Sequence, residues 1–409
     1  MSIPSRFTDI KKQVDQVRAV LSHGSIPLGF MLGAGCPASI KNEDGSPLIP
    51  GINQLSADIN EQLQKSKYAD QYKILLELCG NTDTKSMNVE ELLNGIRSLK
   101  KINLTQRIQE LPKNLIEDVD DFVCKQISMA TAKDLDHKNY SSYHRFTTWL
   151  QNCNRSCPIE IFTTNYDTLF EQAFEKLEMC YFDGFNGSIN AILDSRSIYN
   201  TSLLPSYWIR LWKIHGSINW TLSSNNTIVR TNSTHTNKNM MIFPSENKYS
   251  ESRIMPYQII MDRLRLFLQQ QNAVLLACGY KFGDDHINSA IIEALKQNPS
   301  SGVIAFMRSN RSEYHNLVEL AQKNPFIRAY FKDGAVLNGI EYNWMTGRKG
   351  AIAQQQKPYI EWKIAKVDNP NNDIISPSLL LGDFDMLTAL MIEMLGRHSD
   401  MQFATSKDN

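Results

Sequence analysis

Asn165 and Asp167 stand two residues apart in "FTTNYDTLFE", and His215 stands beside Gly216 in "WKIHGSINW". An amide, a carboxylate and an imidazole can orient a carbonyl or a water and accept a proton from a hydroxyl, which is the equipment of general-base chemistry. Two glycine-bearing stretches accompany them. "LGAGCPAS" sets Gly33, Ala34, Gly35 and Ala38 in the pattern G-x-G-x-x-A, where bare backbone admits a pyrophosphate at a helix N-terminus, although alone the pattern is equally a tight turn. "LLACGYKFGDDHIN" carries Gly279 and Asp284.

Each of these residues has a purely structural explanation to weigh. Asp167 or Thr168 can cap the helix that begins there, with Glu171 closing a capping box on Thr168. Asp284 or Asp285 can cap the helix that carries Ile287 and Ile291, and His286 reads as a surface residue. A cap does not account for Asn165, whose side chain has four hydrogen-bonding positions and is costly at a buried strand end unless they are satisfied. His215 alone would more often be a core histidine than a base; beside Asn165 and a glycine turn on one sheet edge, the odds reverse.

These residues need strands to carry them. Five short apolar runs bounded by turn residues read as strands buried on both faces: "IPLGFML" from Ile26, "IEIFTT" from Ile159, "WIRLWKI" from Trp208, "AVLLAC" from Ala273 and "GVIAFM" from Gly302. The first, second and fourth are followed by amphipathic helical patterns, such as Leu169, Phe170, Ala173, Phe174 and Leu177. This alternation predicts an α/β fold, a Rossmann-like doubly wound parallel sheet, with the polar clusters gathered at its carboxyl edge.

About a hundred residues separate the first two runs, far more than a strand-to-helix connection needs. The spacing of Leu92, Leu93, Ile96 and Leu99, and of Leu115, Val119, Phe122, Val123 and Ile127, makes this stretch a mostly helical insert. The expected organisation is a discontinuous sheet domain over 1–52 and 151–340, the insert over 53–150, and a C-terminal extension over 341–409. Residues 221–240, rich in Ser, Thr and Asn, read as a surface loop or loose hairpin. A dehydrogenase would need an acidic residue ending a second strand about twenty positions after the glycines, where the insert stands instead, so that class is disfavoured.

Lys plus Arg balance Asp plus Glu at 43 each, so no global field draws the chain to nucleic acid, and no direct nucleic-acid binding is expected. The 7 cysteines are odd in number and lack dense spacing, which reads as reduced thiols in the cytoplasm. Cys153 and Cys157 form one close pair where a structural zinc usually needs two, so no metal is expected. The first residues lack a signal-peptide pattern, and no apolar stretch reaches the ~20 residues of a membrane span.

Taken in order, "LGAGCPAS", "FTTNYDTLFE", "WKIHGSINW" and "LLACGYKFGDDHIN" resemble the sirtuin superfamily, and within it the bacterial sirtuin-like NAD hydrolases of anti-phage defence. The resemblance implies a Rossmann-like sheet with inserted modules. It sets Gly33, Ala34 and Gly35 against the NAD phosphates, Asn165 and Asp167 by the nicotinamide with Thr164 where deacylases carry Gln, and His215 with Gly216 as the His-Gly pair that holds the catalytic base. Gly279 opens the loop near the adenosine ribose, and Asp284 on that loop joins the cofactor-binding candidates. The chain departs from the deacylases in lacking two Cys-x-x-Cys pairs and in reducing their Gly-Ile-Pro-Asp-Phe-Arg loop to "PLIPGIN".

The resemblance therefore implies an NAD hydrolase that releases nicotinamide and ADP-ribose and depletes NAD as a defence response, with NAD as substrate. An NAD-dependent deacylase and a non-catalytic NAD or ADP-ribose sensor stand as alternatives. "FDMLTALMIEML" predicts a helix apolar nearly all round, covered either within its own subunit or between subunits. Because short sirtuin-like defence proteins often work as assemblies, some with a HerA-type ring ATPase, the resemblance favours the second, with a homo-oligomer held partly by this segment.

Overall fold

The computed structural model describes residues 6–78, 115–135, 140–223, 227–231, 239–241, 256–348, 357–365 and 374–396, with position 225 and several positions between 89 and 99. Its centre is a sheet of ten strands among the described residues. In chain order these are β1 (Phe7–Thr8), β2 (Leu28–Leu32), β3 (Glu160–Thr163), β4 (Tyr181–Phe182) and β5 (Ile209–Lys213). There follow β6 (Val274–Cys278), β7 (Gly302–Phe306), β8 (Ile327–Phe331), β9 (Gly334–Leu337) and β10 (Ile340–Trp344). Their order across the sheet is β1-β10-β9-β8-β7-β6-β2-β3-β5-β4.

The five runs expected from the sequence are consecutive neighbours, β7-β6-β2-β3-β5, and every pair among them is parallel. Their hydrophobicity is continuous because both faces are covered. Phe30, Ile161, Leu211, Leu276 and Ile304 enter one core with the helices Ile10–Ser22, Ser142–Gln151, Leu169–Lys176 and Phe384–Met394. Met31, Phe162, Trp212, Ala277 and Ala305 enter the other with Tyr257–Leu268, Asp285–Gln297 and His315–Lys323. This is the doubly wound α/β architecture. From β2 the chain winds outward through β3 and β5, then returns to β6 on the other side of β2 and winds outward through β7 and β8. The strand order thus reverses between β2 and β6, and the crevice of such a fold opens there.

Helices Ile52–Gln64, Ala69–Leu78 and Leu115–Thr131 build a separate core around Ile59, Leu63, Tyr72, Leu75, Val119 and Val123, which Leu92, Leu93 and Ile96 join. Helix Ser142–Gln151 packs with the sheet instead, through Tyr143, Phe146 and Trp149. After β2 the chain makes only a one-turn 3-10 helix, Pro37–Ser39, so the amphipathic α-helix expected behind the glycine turn is not there. Part of the Ser- and Asn-rich stretch is paired: Gly216–Leu222 lies antiparallel to Ile228–Arg230 and to Asn239–Met241 in a five-stranded sheet, while 232–238 lie outside the described residues.

The sheet continues past residue 340 to Trp344, where β10 pairs with β1. Helix Phe384–Met394 is covered by its own chain: Leu387 and Leu390 are both 0% exposed, and Phe384 meets Tyr143 and Phe146 edge-on or tilted. Much of its apolar character is thus met within its own subunit, the first of the two coverings that its composition left open, while Met386, Ala389 and Met394 stay half-buried. Among the described residues, no helix is long and apolar enough to cross a membrane.

Candidate active site

Phe306, Cys278, Leu32, Thr163 and Lys213 are partners on one rung across β7, β6, β2, β3 and β5. Parallel strands that end on one rung release their following residues at one edge. Gly279, Gly33, Thr164 and Ile214 leave the sheet side by side, and the four motifs meet there despite lying up to about 250 residues apart in the chain.

The two glycine loops touch at the strand reversal. Gly33 donates its N–H to the Cys278 carbonyl at 3.1 Å and Gly35 donates to Gly279 at 3.0 Å. A Cβ on Gly33 would lie 2.5 Å from the Gly279 oxygen, and Gly279 itself has φ +67°. Side chains are excluded at these positions by the approach of one backbone to the other. Ala34, at the tip, is the exposed member. With a 3-10 turn in place of a helix, the pattern does not present a full helix N-terminus to a phosphate.

Asn165 is buried at the end of β3 and donates from Nδ2 to the Gly33 carbonyl at 3.1 Å. The amide that the sequence singled out is thus a strut between the second motif and the first, using one of its four hydrogen-bonding positions. Thr163 fixes the same corner, donating from Oγ1 to the Leu32 carbonyl at 2.7 Å and accepting from the Asn165 N–H at 3.1 Å. Thr164 is half-buried at the rim. Asp167 accepts from the Leu169 N–H at 3.1 Å. Burial pushes the Asp167 carboxyl up to about 6, against the pull of the Lys213 ammonium. Thr168 occupies the N-cap position without a side-chain cap bond, and Glu171 closes no capping box on it, because its carboxylate turns inward to Lys213 at 2.8 Å.

His215 is buried and its ring stacks on His286, with centroids 5.7 Å apart and 29° between planes. His286 is therefore not a surface residue: at 8% exposure it brings a second imidazole to the edge. Gly216 turns the chain with φ +83°. Asp284 is half-buried at the N-cap of helix Asp285–Gln297, with no side-chain cap bond. The loop before it holds buried Phe282 at φ +55°, a strained conformation for a non-glycine. Asn288 pins that loop by donating to the Phe282 carbonyl at 2.8 Å.

The insert reaches this edge, since Ile218 of the His-Gly motif belongs to its core and Tyr166 of the Asn165 motif packs against it. Sequence reasoning passed over Lys213 and Asn288 and read His286 as a surface residue. The signal for Lys213 was legible: a lysine ending an otherwise buried strand needs partners. Among the described residues, no group of three or more His, Cys, Asp or Glu is placed to hold a metal.

Residues 159–329 match the family model of a SIR2-like domain. That segment runs from β3 through the His-Gly turn and the Gly279 loop into β8, and the glycine turn outside it packs against Gly279 inside it. The match supports kinship of this part of the chain with the sirtuin-like superfamily, and with it an activity that uses NAD. No curated protein matches the chain.

Proposed function

We propose that the protein is an NAD hydrolase that cleaves the bond between nicotinamide and ribose, giving nicotinamide and ADP-ribose. The observation that carries this reading is that Asn165 and His215 each follow by two residues the ends of two adjacent parallel strands, at the carboxyl edge beside the strand reversal where Gly33 and Gly35 pack on Gly279. Nicotinamide departs from a cationic pyridinium as a neutral molecule, so the site needs no acid for the leaving group. It needs a group to orient the amide or the water, which suits Asn165, and a base to take the proton released when water adds to the ribose, which suits His215. Positioned base catalysis contributes ~10²–10⁴-fold, and fixed dipoles at the edge add to it.

The absence of the deacylases' paired Cys-x-x-Cys signature from the sequence favours hydrolysis over deacylation. Depletion of NAD in anti-phage defence, within the cytoplasm, extends this reading by resemblance, as do a homo-oligomer and a HerA-type ring ATPase as partner. Incubating the purified protein with NAD, with and without an acylated peptide, tests it. Nicotinamide release without the peptide is expected; release only with it marks a deacylase, and NAD binding without release marks a sensor.

A further inference from the structure

Lys213 ends β5 two residues before His215, and its side chain is 1% exposed. Its three N–H donors are shared among four acceptors: the Glu171 carboxylate at 2.8 Å, the Ser217 hydroxyl at 2.7 Å, the Asp167 carbonyl and, more distantly, the Tyr166 carbonyl at 3.4 Å. Tyr166 and Asp167 flank the strand end that carries Asn165, and Ser217 belongs to the turn that carries His215. The Tyr166 carbonyl also accepts from the Ser217 hydroxyl at 3.2 Å and the Ile218 N–H at 3.1 Å, and is thereby a shared anchor for both segments.

As a stability device the ion pair is poor. Removing two charges from water costs several kcal/mol per ion, and apolar replacements are often neutral or better. Buried Arg263 and Glu160, by contrast, form a two-pronged pair whose carboxylate also accepts from Trp212, so both of its oxygens are bonded. Glu171 has one oxygen, Oε2, buried with no hydrogen-bond partner among the described residues. What the Lys213 arrangement supplies is a short-range tie between two backbone segments that no apolar side chain could make.

We propose that Lys213 is a positioning residue that sets Asn165 against His215, with Glu171 as the counter-charge that keeps the ammonium in place. This rests on the NAD-hydrolase reading and adds to it the element that assembles the two catalytic candidates.

The test compares wild type with Lys213→Met, and with Lys213→Met combined with Glu171→Leu, in melting temperature and in nicotinamide release from NAD. The single variant leaves Glu171 unpaired and is expected to lose stability. The double variant removes the Glu171 charge as well, and the loss of the Lys213 pull favours the protonated, uncharged form of buried Asp167, so it is expected to recover the wild-type melting temperature. It should nevertheless turn over NAD ~100-fold more slowly, because a misplacement of about 1 Å costs that much, while KM stays within about threefold. Activity that returns with stability would make the pair merely structural and overturn the proposal, as would a double variant that melts as low as the single one. A wild type that neither binds nor cleaves NAD would instead remove the NAD reading itself, and the role of Lys213 with it.

Discussion

A Cβ on Gly35 would lie 2.6 Å from the Cα of Gly279, and the Gly35 N–H donates to the Gly279 carbonyl at 3.0 Å. The loops after β2 and β6 are therefore in backbone contact before any ligand arrives. Gly35→Ala is expected to cost about 1–3 kcal/mol of stability without NAD, as overpacking does elsewhere. Urea unfolding of the ligand-free variant measures it. Unchanged stability with weakened NAD binding would instead show that this glycine serves the ligand alone.

Asp167 makes stability depend on pH. Its carboxyl rises from an ordinary 3.8 to about 6, chiefly through burial. Between those values the folded protein keeps a proton that the unfolded chain has released, so stability is full below the lower value and is lost as pH rises through the upper one. The difference amounts to about 3 kcal/mol at neutral pH. Asp167→Asn keeps an oxygen to accept from Leu169 and is expected to be more stable than wild type at pH 7.5, with the gap narrowing towards pH 4. Asp183, likewise raised to about 6 by burial, contributes equally to both proteins and drops out of the comparison. Chemical unfolding across that range decides the matter; a gap that widens on acidification would reverse the sign.

Leu387 tests where the C-terminal helix belongs. Because it is 0% exposed within its own subunit, Leu387→Asp places an unpaired carboxylate in the core and should destabilise the protein by at least about 4 kcal/mol, abolishing a cooperative melt. A variant that melts like wild type but falls from an assembly to a monomer in light scattering would return the helix to an interface.

The interior strands were legible because continuous apolar runs admit few other readings, and all five lie together in the sheet. Strand order was not legible, since nothing local in Val274–Cys278 says that it pairs with both Leu28–Leu32 and Gly302–Phe306. Short outer strands such as Phe7–Thr8 and Gly334–Leu337 carry too few residues to show a period. The site was legible as a set of motifs and less so as a set of contacts. Glu171 has the spacing of a capping box, yet its partner is Lys213, 42 residues away, and a long-range pair overrides the local rule. His286 stands in the polar run "GDDHIN" and becomes buried only because the fold sets it against His215. The C-terminal helix showed that it must be covered but not by what, because composition is the same for a core and an interface.

The proposed reaction is the cleavage of NAD by Asn165 and His215 together. It is tested most directly by following nicotinamide and ADP-ribose released from NAD alone by wild type, Asn165→Ala and His215→Ala. Wild type should give the two products one for one without any acylated peptide, and each variant, still folded by its melting curve, should be slower by at least ~10²-fold. Folded variants that release nicotinamide at the wild-type rate would contradict the account, as would a wild type that holds NAD and leaves it intact.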